Sequence, residues 1–165
     1  DMARRAIVGV MGAGDNARAE DVEMAGVLGE AIARAGWVLL SGGRNNGIMD
    51  AVNRGAKRAD GLTIGVIPGS DRKAMSEAVD VGIVTGMGSA RNYINVLSSD
   101  VVIACGFGGA GTASEIALAL KAKRPVVLLN CQPEGQVYFR AIGDGLVHVA
   151  ATVEEAIAAI RRLLC

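Results

Sequence analysis

The sequence predicts an α/β domain: a Rossmann-like three-layer α/β/α sandwich around a mostly parallel sheet of six to seven strands. Three observations lead there. Strands and helices alternate along all 165 residues. The strands are unbroken apolar runs, such as Val101-Val102-Ile103-Ala104, as a parallel sheet covered on both faces requires. Glycines gather where those runs stop: Gly12 and Gly14, Gly42 and Gly43, Gly69, Gly86 and Gly88, and the set from Gly106 to Gly111. In such sheets a ligand sits beyond the carboxyl ends of the strands, at the point where strand order reverses. One broad glycine-lined crevice is therefore expected.

Each element has its own reason. Ala6–Met11 reads as a buried strand, and Gly12-Ala13-Gly14-Asp15-Asn16 as its turn. Arg18–Ala35 carries Val22, Ala25, Leu28, Ala31, Ile32 and Ala35 at helical spacing, and Gly36 ends it. Trp37–Leu40 is a strand stopped by Ser41-Gly42-Gly43. Gly47–Lys57 is a helix with Ile48, Ala51, Val52 and Ala56 inward. Leu62–Ile67 is a strand ended by Pro68-Gly69, and the polar segment Ser70–Asp80 a loop with room for a helical turn. Val81–Thr85 is a short strand, and Ala90–Ser98 a helix with Ser89 placed to cap it. Asp100–Cys105, Pro125–Leu129 and Leu146–Val149 read as strands; Thr112–Ala122, Glu134–Ile142 and Val153–Leu164 read as helices. Residues 1–165 show no linker, repeat or break, so one nucleotide-binding domain is expected.

Composition excludes several functions. Aromatics make up 3% of the chain, so the core must come from Val, Ile, Leu, Ala and Met. Lys plus Arg and Asp plus Glu balance at 17 each, which leaves no basic field for a nucleic-acid backbone. Cys105, Cys131 and Cys165 are scattered and odd in number; they read as reduced thiols of a cytoplasmic protein, with no metal site. The apolar runs are too short to span a bilayer. The start Asp1-Met2-Ala3-Arg4-Arg5 reads as a tag remnant with a start methionine, not a signal peptide.

The segment Ala104-Cys105-Gly106-Phe107-Gly108-Gly109-Ala110-Gly111-Thr112-Ala113-Ser114-Glu115 carries the most chemistry. A strand that ends in a glycine-rich turn before a helix suits a phosphate. Glycine lets the backbone approach a bulky anion, and the first helical N–H groups have no internal partner. The formal GxGxxG match does not make it a dinucleotide site. That site needs an acidic residue about 20 positions on, where this chain has Leu129-Asn130-Cys131. No GxxxxGK[ST] run exists either.

Two further turns are candidates. Ser41-Gly42-Gly43-Arg44-Asn45-Asn46-Gly47 joins a glycine turn to Arg44, whose fork suits phosphate. The same residues also read as an ordinary turn with Asn46 as helix cap and Arg44 in solvent. In Thr85-Gly86-Met87-Gly88-Ser89-Ala90-Arg91-Asn92, Arg91 opens a helix, where a cation opposes the dipole. It is either a crevice residue or a tolerated surface Arg. Glu115 is either the partner of Thr112 in a capping box or a carboxylate facing a bound sugar or base. Thr152-Val153-Glu154-Glu155 repeats the pattern with no glycine cradle before it. Met87 and Tyr93 read as packing residues, with stacking on a flat ring as the alternative. His148 reads as a core or edge residue.

Together these motifs resemble the family once labelled "possible lysine decarboxylase", which includes the LOG cytokinin-activating enzymes and the molybdenum-cofactor carrier proteins. The resemblance runs through Ser41-Gly42-Gly43, Gly47-Ile48-Met49, Gly65-Val66-Ile67-Pro68, Arg91, and Gly108-Gly109-Ala110-Gly111-Thr112-Ala113-Ser114-Glu115. The last group is similar to the family's PGGxGTxxE, with Phe107 in place of Pro. It implies Arg91 and Glu115 as the catalytic pair of a phosphoribohydrolase that cleaves the N-glycosidic bond of a nucleoside 5′-monophosphate. The start Ala90-Arg91-Asn92 and the short length look more like the carrier branch, which implies binding of a phosphorylated pterin, the molybdenum cofactor, without turnover.

The expected ligand-binding set is Gly12, Gly14, Gly42, Gly43, Arg44, Asn92, Gly108, Gly109, Ala110, Gly111 and Thr112, with no cofactor needed for catalysis. The expected partners are a small phosphorylated ligand and a second copy of the chain, with neither nucleic acid nor membrane. The helical stretches Tyr93–Leu97 and Ile116–Leu120, apolar around much of their circumference, are the expected homo-oligomer face.

Overall fold

The computed structural model describes residues 3–106 and 108–165. Asp1, Met2 and Phe107 lie outside the described residues, and with them the reading of the chain start and of the Pro-to-Phe107 replacement.

A seven-stranded sheet forms the centre, built from β1 (Ile7–Gly12), β2 (Val38–Ser41), β3 (Thr63–Ile67), β4 (Val81–Val84), β5 (Val101–Cys105), β6 (Val126–Leu129) and β7 (Val147–Ala150). Its order is β4-β3-β2-β1-β5-β6-β7, and every pairing is parallel. The helices are α1 (Ala19–Arg34), α2 (Gly47–Arg58), α3 (Arg91–Ser98), α4 (Ala110–Lys121), α5 (Pro133–Ile142) and α6 (Val153–Leu163). The chain winds outward from β1 to β4, then returns to the centre at β5 and winds the other way. The order thus reverses between β1 and β5, where Val10 pairs with Ile103 and Gly12 with Cys105.

Alternation along each strand divides the core. Val8 and Val10, Val101, Ile103 and Cys105 face α1, α2 and α6, meeting Leu28, Ile32, Val52 and Ile160. Met11, Val102, Ala104, Val126 and Leu128 face α3, α4 and α5, meeting Val96, Ile116, Leu120 and Phe139. Strands buried on both sides have no polar face to show, hence their unbroken apolar sequence. Edge strand β4 departs from this, since Val81, Ile83 and Val84 are exposed.

Three local expectations are overturned. Ser89 does not cap α3: it lies inside a 3₁₀ turn, Gly88–Ala90, that runs directly into the helix. Thr112 is not the cap of α4, because the helix starts earlier. Gly109, with φ of 99°, takes the N-cap position, so Thr112 stands in the first turn. Asn46 is the N-cap residue of α2, yet its side chain makes no capping bond and donates to Asp15 Oδ1 instead. The repeated Thr-x-x-Glu motif at Thr152 does cap its helix, with the carboxylate reaching one residue before the cap. Thr152 Oγ1 accepts from the Glu155 amide at 3.2 Å, and Glu155 Oε2 accepts from the Ala151 amide at 2.7 Å.

The segment after β3 does more than connect. Ser76 is fully buried, its amide donates to Gly43 O at 2.8 Å and its hydroxyl to Asp50 Oδ1 at 2.6 Å. Arg44 and Met75 form an isolated antiparallel bridge. The turn after β2 is thereby clamped from outside.

Helices α1 and α2 touch backbone to backbone. A Cβ at Gly29 would collide with the Val52 carbonyl, and one at Gly55 with the Gly26 carbonyl. Gly29→Ala is therefore expected to destabilise the fold by about 1–3 kcal/mol in chemical denaturation. Gly111→Ala meets nothing within 4 Å and is expected to leave stability unchanged or raise it by about 0.4–1 kcal/mol.

Candidate functional site

Three strand exits converge where the sheet order reverses. The turn after β1 lies against the start of α2. The Ile48 amide donates to Ala13 O at 2.9 Å, and a side chain at Gly47 would strike the Ala13 and Gly14 carbonyls. The turn after β5 lies against the same loop, since a Cβ at Gly108 would come within 2.6 Å of Ala13. Only residues without side chains permit this spacing.

The convergence encloses a cavity of about 310 Å³, at the small end of ligand sites. Gly12, Gly14, Gly42, Arg44, Arg91, Asn92, Gly108, Gly111, Thr112 and Glu115 all line it. Gly43, Gly109 and Ala110 are not among its lining residues. Gly43 turns toward β3, where a Cβ would come within 2.5 Å of Ile67, whereas Gly109 and Ala110 open α4 on the exposed side. Met49, Pro68 and Ser89 also line the cavity and were not foreseen, whereas Gly88 lines it as one of the strand-exit glycines of the expected crevice. Pro68 also sits at a strand exit and carried that signal. Met87 and Tyr93, read as packing residues, are instead exposed and outside the lining.

Arg91 is held deliberately. Its Nε donates to Val66 O at 2.9 Å, Nη2 to Gly42 O at 3.5 Å, and Nη1 to Asn92 Oδ1. Gly42 leaves the space for this, because a Cβ there would stand 2.7 Å from Arg91 Nη2. Asn92 in turn donates to Ser114 Oγ at 3.3 Å, and Ser114 donates to Gly111 O at 2.7 Å. This chain of bonds ties α3 to the first turn of α4. Burial pulls the Arg91 guanidinium below its usual range; Glu115 opposes that and the like charge of Arg44 adds to it.

Glu115 is 7% exposed and points to the same cavity. From α3, Asn95 Nδ2 donates to its Oε2 at 3.2 Å. Burial pushes its carboxyl up to about 7, against the opposing pull of Asn95 and Arg91. Asn95 itself was not foreseen. Its signal was Arg91 and Asn95 at i, i+4, a polar stripe on a helix face that turns inward.

Charge defines what the cavity can do. Among the described residues its charged lining consists of Arg44, Arg91 and Glu115. The amides of the first turn of α4 have no intrahelical acceptors and carry the positive end of its dipole. Two cations and an open helix start outweigh one carboxyl that is half neutral near pH 7. Among the described residues, no group of three or more His, Cys, Asp and Glu is placed to hold a metal ion. No helix among them is long and apolar enough to cross a membrane.

The raised Glu115 value makes stability depend on pH with a defined sign. Its acid form is favoured in the folded state, so the associated stability is full below about pH 4.5 and is lost as pH rises to about 7. Glu115→Gln removes that loss. The variant is expected to match the wild type at about pH 4.5 and exceed it by roughly 3 kcal/mol above about pH 7, read from denaturation curves at each pH.

Several known proteins are similar to this chain. The molybdenum cofactor binding protein of the phototrophic bacterium Rippkaea orientalis is 50% identical, with a TM-score of 0.96 over 100% of both chains. The molybdenum cofactor carrier protein of Chlamydomonas reinhardtii is 54% identical, with a TM-score of 0.90 over 98% of this chain and 99% of that one. A cytokinin riboside 5′-monophosphate phosphoribohydrolase of Mycobacterium tuberculosis is 37% identical over 111 residues, 66% of this chain and 59% of that enzyme. The model of the SLOG cluster4 family matches residues 5–157, and the chain belongs to that family.

Proposed function

We propose that this chain binds a phosphorylated pterin, the molybdenum cofactor, or a related nucleotide at the carboxyl edge of its sheet, as a carrier. The observation that supports this most is the cavity's charge: Arg44, Arg91 and the open start of α4 meet at the β1–β5 reversal. The amides of Gly108, Gly111 and Thr112 would take the phosphate. Gly12, Gly14, Gly42 and Arg44 would close around it, with Gly43, Gly109 and Ala110 shaping the turns. Asn92 and Arg91 would face the sugar or ring. The near-complete likeness to molybdenum-cofactor-binding proteins supports the carrier reading over other phosphate ligands. The metal would travel as part of the cargo, with the protein gripping the phosphate and ring.

A second reading has its own observation. Arg91 and Glu115 line one cavity, and a carboxyl near 7 can hold or release a proton at neutral pH. That pair suits a phosphoribohydrolase acting on a nucleoside 5′-monophosphate. Glu115 would face the ribose, where a carboxylate stabilises an oxocarbenium-like transition state, and the leaving base would need a proton. No catalytic cofactor enters this reaction.

The 165 residues are read as one domain of a cytoplasmic protein that pairs with a copy of itself. Of the two apolar stretches, Ile116 and Leu120 are buried against the sheet, while Tyr93 and Leu97 stay exposed on α3. The exposed pair supports α3 as the contact between copies. Leu97→Glu is then expected to shift the chain to a monomer in sedimentation.

Calorimetry with a pterin phosphate and an assay of AMP hydrolysis separate the two activities. Tight pterin binding without ribose 5-phosphate release is expected. Release that vanishes in Glu115→Ala supports the hydrolase instead. Arg44→Ala is expected to weaken binding of either ligand by about 10- to 100-fold, the loss of one charge-assisted bond.

A further inference from the structure

Asn95 presents an unbalanced amide. It is fully buried, and its Nδ2 donates to Glu115 Oε2 at 3.2 Å. Its Oδ1 is buried without any donor among the described residues. An orphaned buried carbonyl costs about 1–3 kcal/mol and calls for an explanation. Its backbone carbonyl, by contrast, is satisfied by Ser99 Oγ at 2.7 Å.

Arg91 raises the same question. If Glu115 were an anion, the guanidinium beside it would be the natural partner for a charge-assisted bond. Instead Arg91 directs its donors to Val66 O, Gly42 O and Asn92 Oδ1. The other groups around Glu115 cannot fill the gap. Arg44 lines the same cavity from the turn after β2, Val10 and Met11 of β1 are apolar, and Thr112 lies on its own helix.

We infer that Glu115 rests in the cavity as the neutral carboxylic acid, its O–H donating to Asn95 Oδ1, so that the pocket offers two cations and no anion to its ligand. A carboxylic acid and a primary amide are complementary. The acid O–H donates to the amide oxygen while the amide N–H donates to the acid oxygen. That pairing satisfies the orphan and leaves Arg91 free of Glu115. The burial that pushes the carboxyl up to about 7 acts in the same direction. Asn95 is thus a positioning residue, and Glu115 sets the charge of ligand the pocket accepts. Loss of the proton would put a negative charge beside a bound dianion and weaken its hold. The inference rests on reading this cavity as an anion site.

Two measurements test it apart from that reading. Infrared difference spectra between wild type and Glu115→Gln, taken at about pH 6 with carbon-13-labelled glutamate, are expected to show a protonated carboxyl at Glu115. Its band is expected to move to higher wavenumber in Asn95→Leu. Absence of the band overturns the proposal, whatever the protein binds; a band that Asn95→Leu leaves in place overturns the role of Asn95. Inorganic sulfate, a dianion at every pH used, then reads the consequence. Wild-type affinity is expected to fall roughly tenfold between about pH 6 and about pH 8.5, and Glu115→Gln to stay flat. A wild type as flat as the variant overturns the coupling to ligand charge. Sulfate bound by neither protein counts against the anion site itself, and the infrared band still decides where the proton is.

Discussion

The structure depends on one constraint: three strand exits must approach each other to backbone contact at the β1–β5 reversal. Gly47 lies on the Ala13 and Gly14 carbonyls, and Gly108 lies on Ala13. The Ile48 amide bonds across the same seam. A side chain at Gly47 or Gly108 would push the loops apart and widen the cavity beyond the reach of its own lining. The parallel sheet is what brings these exits to one edge, since all seven strands end on the same side. Fold and cavity are therefore one problem. The glycines that close the packing of loops are the ones that open the space between them.

The second constraint is electrostatic and follows from the first. Loops this close leave little room for water, so charges at the seam are desolvated and must be held by the protein. Arg91 is anchored on two backbone carbonyls and an Asn side chain, which keeps its position independent of Glu115. Glu115 is anchored from the preceding helix, α3, by Asn95. Helices α3 and α4 pack against each other on one face of the sheet and so fix both groups relative to the cavity. An arginine at the opening of a helix is unfavourable by its dipole. Buried anchoring of this kind offsets that cost and explains how the residue is tolerated there.

Much of this was legible in sequence because parallel strands write themselves plainly. Fully buried runs such as Val101–Cys105 carry no polar face, and the glycines after them mark the exits. Arg44, Arg91 and Glu115 stood out for the same reason, as charges set in otherwise apolar or glycine-rich surroundings. What remained hidden depends on contacts between distant segments. The segment Ser70–Asp80 reads as a plain polar loop, yet Ser76 is buried on Gly43 and Asp50. The clamp needs a folded neighbour, which no local pattern displays. Asn95 was missed because an Asn within a short helix looks unremarkable until its face is known to turn inward.

The two Thr-x-x-Glu motifs show how context decides between structure and chemistry. On α6 Thr152 itself takes an ordinary extended conformation and becomes the cap, and Glu155 folds back to the Ala151 amide. Before α4 stands Gly109 at φ 99°, a conformation that Thr would adopt only under strain. The helix therefore starts at Ala110, and Thr112 is carried into the first turn. Its partner Glu115 moves with it, one turn too deep to reach the cap. Released from capping, that carboxyl turns inward, meets Asn95 and lines the cavity. One left-handed glycine thus converts a helix-start motif into a buried acid beside two arginines, with the sequence pattern itself unchanged.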